Sequence, residues 1–111
     1  MADQTVMTVL MTAPDRETGR EVAAQLVRER LAACGNVLEG VTSIFWWEGD
    51  VQDEPEALVV LKTTREHVGK LTERVRALHP YDVPEVLALP VEEGLGEYMD
   101  WVRDETGPTE A

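Results

Sequence analysis

The order of the apolar patterns along the chain is the feature that most restricts its fold. Helical spacing of apolar residues predicts one helix from Asp15 to about Ala33 and another after Thr64. Runs of β-branched and apolar residues predict four strands, at about residues 5–12, 37–47, 57–63 and 85–91. The resulting order, β-α-β-β-α-β, is that of a ferredoxin-like α+β fold. Right-handed crossovers then place both helices on one face of a four-stranded antiparallel sheet.

Turn and capping residues set the limits of these elements. Asp15 is a good N-cap for the first helix, and Gly35 is the predicted stop of that helix. Gly40 marks a candidate bulge in the second strand, and Glu48-Gly49-Asp50 has the composition of a hairpin turn. Pro55 and the acidic residues around it predict a frayed or edge segment before the third strand.

The second helix has the clearest periodicity, with apolar residues at every third or fourth position from Val68 to Leu78. A His-Pro pair ends it, because proline pushes the preceding residue out of the α region. A short C-terminal helix follows the fourth strand. We therefore predict a single domain over residues 1–106 and a loose tail over residues 107–111.

Three of the predicted strands carry apolar residues at consecutive positions, unlike the strands of a sheet with one exposed face. These runs cover residues 9–11, 58–61 and 87–89. Both faces of the sheet must therefore be covered, and one short terminal helix cannot hide a whole face. The pattern predicts that another copy of the chain covers the second face, so that the protein is an oligomer.

Charge and cysteine content narrow the classes of partner and the location. The chain has 22 acidic and 10 basic residues and a formal net charge of −12. Such a surface repels nucleic acid and anionic membranes, while it attracts cations weakly. No apolar run approaches the roughly 20 residues of a membrane span, and the start of the chain lacks a secretory pattern. With Cys34 as the single cysteine, an internal disulfide is impossible, and we expect a cytoplasmic protein.

Signatures of enzymes are missing from the sequence. It has no glycine-rich phosphate loop, no nucleophile elbow and no histidine-rich zinc spacing. Many carboxylates are present, but no pair of them is singled out by spacing. We therefore expect a protein without enzymatic activity.

Five segments occur in the order and spacing of one known family. They are TAPD at 12–15, LAAC at 31–34, TSIFWWEG at 42–49, HPYDVPE at 79–85 and EYMDWV at 97–102. On these segments, which span nearly the whole chain, the sequence resembles the CutA family of divalent-cation tolerance proteins. The resemblance implies a ferredoxin-like homotrimer, similar in build to the nitrogen-regulatory PII signalling proteins. It also implies a link to tolerance of copper and other divalent metals.

The resemblance also implies where a metal would bind. Copper is associated in the family with a cysteine just before TAPD and two histidines before Pro-Tyr, positions held here by Met11, Leu78 and His79. A thioether suits Cu(I) and an imidazole suits copper generally, so Met11 and His79 are the predicted ligands of a weak or conditional site. Chain direction brings these two residues to the same end of the sheet and leaves Cys34 about a strand length away. The alternative is that His79 bonds the last free carbonyls of its helix and Met11 fills the core.

Three functions stay open at this point. The first is a trimer of metal-ion tolerance, and the second is a PII-like signalling module that binds a small effector between subunits. The third is a structural trimer that acts through an unknown protein partner. In each case the aromatic residues of the hairpin, Phe45, Trp46 and Trp47, are the predicted interface anchors.

Overall fold

The computed structural model describes residues 2–107. Its elements in chain order are β1 Val6–Ala13, α1 Arg16–Arg28, β2 Cys34–Trp47, β3 Asp50–Thr64, α2 Arg65–Leu78, β4 Leu87–Pro90 and α3 Gly96–Glu105. The strands form one antiparallel sheet in the order β2-β3-β1-β4. The α+β class, the element order and the short C-terminal helix are confirmed. The predicted loose tail lies, apart from Gly107, outside the described residues.

Helix α1 starts as predicted but ends five residues earlier than the sequence pattern indicates. Asp15 is its N-cap, and the Asp15 carboxylate accepts a 2.8 Å hydrogen bond from the Thr18 backbone N–H. At the other end, Arg30 takes a left-handed conformation with a φ of 61°. The Leu31 N–H then donates to the Leu26 carbonyl at 3.0 Å, which closes a Schellman motif. The prediction of a helix to about Ala33 was therefore wrong.

Gly35 lies in β2 and does not stop α1, so its predicted role was also wrong. A Cβ on Gly35 would come within 2.9 Å of the Leu61 side chain and 3.3 Å of Ala23. A glycine at this position therefore allows α1 to pack closely on the sheet.

The hairpin of β2 and β3 extends well beyond the rest of the sheet. Strand β3 begins at Asp50, seven residues before the predicted start, and Pro55 pairs with Thr42 inside it. Strand β1 ends opposite Ala57, so residues 50–56 of β3 have β2 as their single neighbour. The expected fraying was wrong, whereas the edge character that proline requires is present. We call residues 41–56 the ribbon.

Backbone conformations in the hairpin match the glycine positions. Gly40 has a φ of 85°, and the pairing register shifts between Leu38 and Val41, which confirms the predicted bulge. At the tip, Glu48 and Gly49 have φ values of 50° and 86°. Positive φ at both central residues is the geometry of a type I′ hairpin turn.

The two faces of the sheet differ in how they are covered. The face beneath α1 and α2 holds the main core, and its buried side chains include Val9, Met11, Leu26, Val59, Leu61, Leu71 and Val75. On the other face, α3 covers one end through Val102, which packs with Val6 and Ala33. The remaining apolar side chains of that face, which we call the open face, are Leu10, Leu38, Leu58, Val60, Leu87 and Leu89.

Within residues 2–107, no helix is long and apolar enough to cross a membrane.

Candidate functional site

His79 lies where α2, the end of β1 and the segment before β4 meet. It follows Leu78 as the C-cap of α2, and 7% of its surface is exposed. Its Nε2 atom is 2.8 Å from the Thr12 carbonyl oxygen, and its Nδ1 atom is 3.1 Å from the Tyr81 backbone nitrogen. The ring therefore bonds a carbonyl of β1, and not the last carbonyls of its own helix.

These two contacts fix the tautomer of the His79 ring. A backbone carbonyl can accept but not donate, so the proton lies on Nε2 and is donated to Thr12. A backbone N–H can donate but not accept, so Nδ1 carries the lone pair that receives the Tyr81 N–H. Both nitrogens of the neutral ring are therefore in use.

Tyr81 extends this network to the ribbon. Its hydroxyl donates a 2.6 Å hydrogen bond to the Glu56 carboxylate, and its ring centroid is 4.6 Å from that of His79. Burial raises the pKa of Tyr81, and the hydrogen bond to Glu56 and the nearby carboxylates raise it further. The phenol therefore keeps its proton and donates a hydrogen bond to Glu56 at any physiological pH. Neither Tyr81 nor Glu56 was predicted as a site residue, although Tyr81 lies in the HPYDVPE segment two residues after the histidine.

Met11 lies at the same end of the sheet as His79, as chain direction predicts. The His79 ring contacts Thr12, which directly follows Met11 in β1. The Met11 side chain points into the core beneath the helices and is 0% exposed. Within residues 2–107, no group of three or more His, Cys, Asp and Glu side chains is arranged to hold a metal ion. His79 has no free ring nitrogen in this conformation, and metal binding by Met11 and His79 stays a prediction.

A second cluster of reactive side chains lies at the opposite end of the sheet. Cys34 opens β2, is partly exposed, and its sulfur is 3.4 Å from the Tyr98 hydroxyl. Its cross-strand neighbour is Lys62, whose ammonium group donates to the Asn36 side chain. The Tyr98 ring in turn packs on Trp101 with centroids 5.5 Å apart. The contact with Cys34 raises the pKa of Tyr98, and burial adds to this.

The aromatic residues predicted to anchor an interface lie on the ribbon and are exposed in the single chain. Phe45, Trp46 and Trp47 are 39%, 75% and 60% exposed. Trp46 pairs across the strands with Val51, which is 56% exposed on the same side of the ribbon. Side chains this large are seldom left in water together without a partner surface.

Negative charge is concentrated on the same hairpin. Between residues 35 and 61 the sequence has no lysine or arginine, and its acidic residues are Glu39, Glu48, Asp50, Asp53, Glu54 and Glu56. The ribbon therefore combines exposed aromatic side chains with a strongly acidic surface, which attracts cations weakly.

Comparison with protein families and sequences gives one consistent result. Residues 7–105 match the family described as CutA1 divalent ion tolerance protein. The chain is 54% identical over 99 residues to the divalent-cation tolerance protein CutA of Thermus thermophilus, covering 89% of this chain and 96% of that protein. It is 44% identical over 98 residues to the chloroplastic protein CutA 1 of rice, covering 88% of this chain and 55% of that longer protein.

Solved structures share the fold. The Thermus thermophilus protein has a TM-score of 0.89 at 52% identity, with 92% of this chain and 99% of that chain covered. A structure described as the periplasmic divalent cation tolerance protein CutA of Archaeoglobus fulgidus has a TM-score of 0.89 at 33% identity, with 92% and 99% covered.

Proposed function

The chain belongs to the CutA1 divalent ion tolerance family, and we propose that it acts as a homotrimer in the tolerance of divalent metal ions. Relatives that match over almost their whole length carry the name of divalent-cation tolerance proteins, which supports a general role of this kind. The proposed role is one of binding and assembly, without enzymatic activity.

One observation carries the proposed assembly, namely the apolar open face of the sheet. Leu38, Leu87 and Leu89 are 47%, 56% and 47% exposed there, and the ribbon adds exposed aromatic side chains. Two apolar surfaces on one small acidic chain favour burial against further copies of that chain. A ring of three copies closes the assembly and leaves no apolar surface for further growth. Light scattering at micromolar concentration tests this, with three times the chain mass expected and a stable monomer contradicting it.

We propose that the trimer binds divalent cations weakly or conditionally, with copper as the first candidate. The net charge of −12 and the acidic ribbon support a general attraction for cations. Calorimetric titration with Cu(I), Cu(II) and Zn(II) tests this proposal. Saturable binding supports the proposal. A titration that releases no heat, or a signal that disappears when salt is added, contradicts it. The same titration of Met11→Leu and His79→Ala tests the two predicted ligands.

A signalling role with a small effector is the second candidate, because one group of exposed side chains suits it. Tyr98 and Trp101 are 43% and 40% exposed and pack on each other at a tilt of 37°. The Tyr98 hydroxyl contacts Cys34, whose cross-strand neighbour is Lys62. Aromatic rings next to an ammonium group favour a planar anion. A panel of nucleotides in the same calorimeter separates the two functions. If neither metals nor nucleotides bind, a structural trimer with a protein partner is favoured.

We propose that the protein works in the cytoplasm. The single cysteine is compatible with a reducing compartment, where a free thiol persists. Relatives are named for other locations, chloroplastic in rice and periplasmic in Archaeoglobus fulgidus. Cell fractionation followed by detection of the chain tests the proposal, and recovery in another fraction contradicts it.

A further inference from the structure

Three segments of the chain meet at one buried imidazole. Through Nε2, His79 bonds the end of β1 at Thr12, and through Nδ1 it bonds the backbone of Tyr81. Tyr81 then reaches Glu56 at the base of the ribbon. We infer that His79 is a structural latch in this chain and not a metal ligand. The latch consists of Thr12, His79, Tyr81 and Glu56.

The chemistry of the ring excludes a metal while the latch is closed. A neutral imidazole binds a metal through an in-plane lone pair, and its one lone pair, on Nδ1, receives the Tyr81 N–H. Moving the proton to Nδ1 would free Nε2, but it would set two N–H groups against each other. The Thr12 carbonyl would also lose its donor. A metal on Nδ1 would displace the Tyr81 N–H, and a metal on Nε2 would require the other tautomer. Both changes leave polar groups without partners at a position that is 7% exposed, which is costly.

The other predicted ligand does not compensate. Met11 is 0% exposed and packs in the core, so its sulfur would have to leave apolar neighbours to reach an ion. Leu78, beside His79, has no donor atom. A copper or zinc site in a protein normally has at least three donors from nitrogen, sulfur or oxygen. The residues at this end of the sheet therefore do not fit the metal that the family name implies.

The latch has a clear structural role instead. Residues 79–86 form neither helix nor strand between α2 and β4, and residues Asp82 and Val83 are exposed. Their backbone is held from two sides, by His79 at the end of α2 and by the Tyr81 hydroxyl on the ribbon. The latch therefore fixes where the edge strand β4 begins relative to the base of the ribbon. Strand β4 carries Leu87 and Leu89 of the open face.

Hydrogen exchange of the Tyr81 amide tests the latch directly. In His79→Ala this amide loses its acceptor, and we expect it to exchange about five- to thirty-fold faster. His79→Asn is the matched control, because an asparagine can accept from the N–H two residues on and should keep part of the protection. Tyr81→Phe removes the bond to Glu56 alone and should leave the Tyr81 amide protected. Unchanged exchange in His79→Ala would overturn the inference.

Metal titration supplies the second readout. Cu(I), Cu(II) and Zn(II) should give the same isotherms with the full chain and with His79→Ala, while Cys34→Ser serves as a control at the opposite end of the sheet. Saturable binding of one ion per chain that disappears in His79→Ala and survives in Tyr81→Phe would overturn the inference. The proposed function can fail separately. A monomeric or metal-indifferent chain contradicts that function but leaves the exchange result unaffected.

Discussion

A glutamate in place of Leu87 tests whether another copy covers the open face. Leu87 lies in the edge strand β4 opposite Leu10 and is 56% exposed in the single chain. Leu38 and Leu89 on the same face are each 47% exposed. A carboxylate at position 87 would lie in the open face at its β4 edge, where the proposed assembly removes water from it.

The magnitude follows from the exposed fractions. Full burial of a leucine side chain contributes about 1.5–3 kcal/mol. Since about half of each of the three leucines remains exposed, covering all of them contributes about 2–4 kcal/mol per copy. Burying an unpaired carboxylate costs several kcal/mol even after relaxation. The single substitution therefore cancels the contribution of the whole leucine patch.

Sedimentation equilibrium measures the outcome. The wild-type chain should sediment as three copies of its 12.4 kDa mass, and Leu87→Glu should shift it to one copy with unchanged circular dichroism. Ala77→Glu is the control, because Ala77 is exposed on α2, away from the open face. A Leu87→Glu protein that remains trimeric would refute the reasoning, and so would a monomeric wild type.

Three further substitutions probe other parts of the fold. Trp47→Ala should lower the urea midpoint of the assembled protein, because the 60% exposed ring is proposed to be covered by a neighbouring copy; an unchanged midpoint contradicts that. Arg30→Gly should be more stable than Arg30→Ala by about 1 kcal/mol in urea denaturation, since both lose the contact with Glu105 and only glycine accepts positive φ without strain. Glu29→Gln should lose stability at pH 7, because hydrogen bonds from Arg74 lower the pKa of Glu29 from 4.5. That contribution is present above the ordinary pKa and is lost as the pH falls through the lowered one, so the stabilities of the two proteins should converge in acid. A constant difference would argue against it.

Local residue chemistry was enough to predict the element order and several element limits. The Asp15 cap, the Gly40 bulge and the hairpin turn each depend on a few neighbouring residues, and each is present. The end of α1 was misplaced because Leu31, Ala32 and Ala33 continue an apolar pattern. These three residues are buried under tertiary contacts, and Ala33 donates to the Lys62 carbonyl across the sheet.

The candidate site was predictable in position and not in bonding. Topology alone brings Met11 and His79 to one end of the sheet. The hydrogen bonds of the two ring nitrogens depend on Thr12, which is 67 positions away in the chain, and on the turn that presents the Tyr81 N–H. No pattern of residue types encodes that geometry. The contact between Cys34 and Tyr98 was not predicted for the same reason, since these residues are 64 positions apart.

The unpaired side of the ribbon affects the tendency of the chain to aggregate at high concentration. Over residues 50–56, strand β3 presents one row of backbone groups to whatever approaches, and such edges recruit strands from other molecules into insoluble fibres. Asp53, Glu54 and Glu56 surround Pro55 in this stretch, so an approaching strand meets repelling carboxylates and an interrupted row of donors. The acidic composition of the hairpin thus also protects a long and aromatic β-segment from amyloid-like stacking.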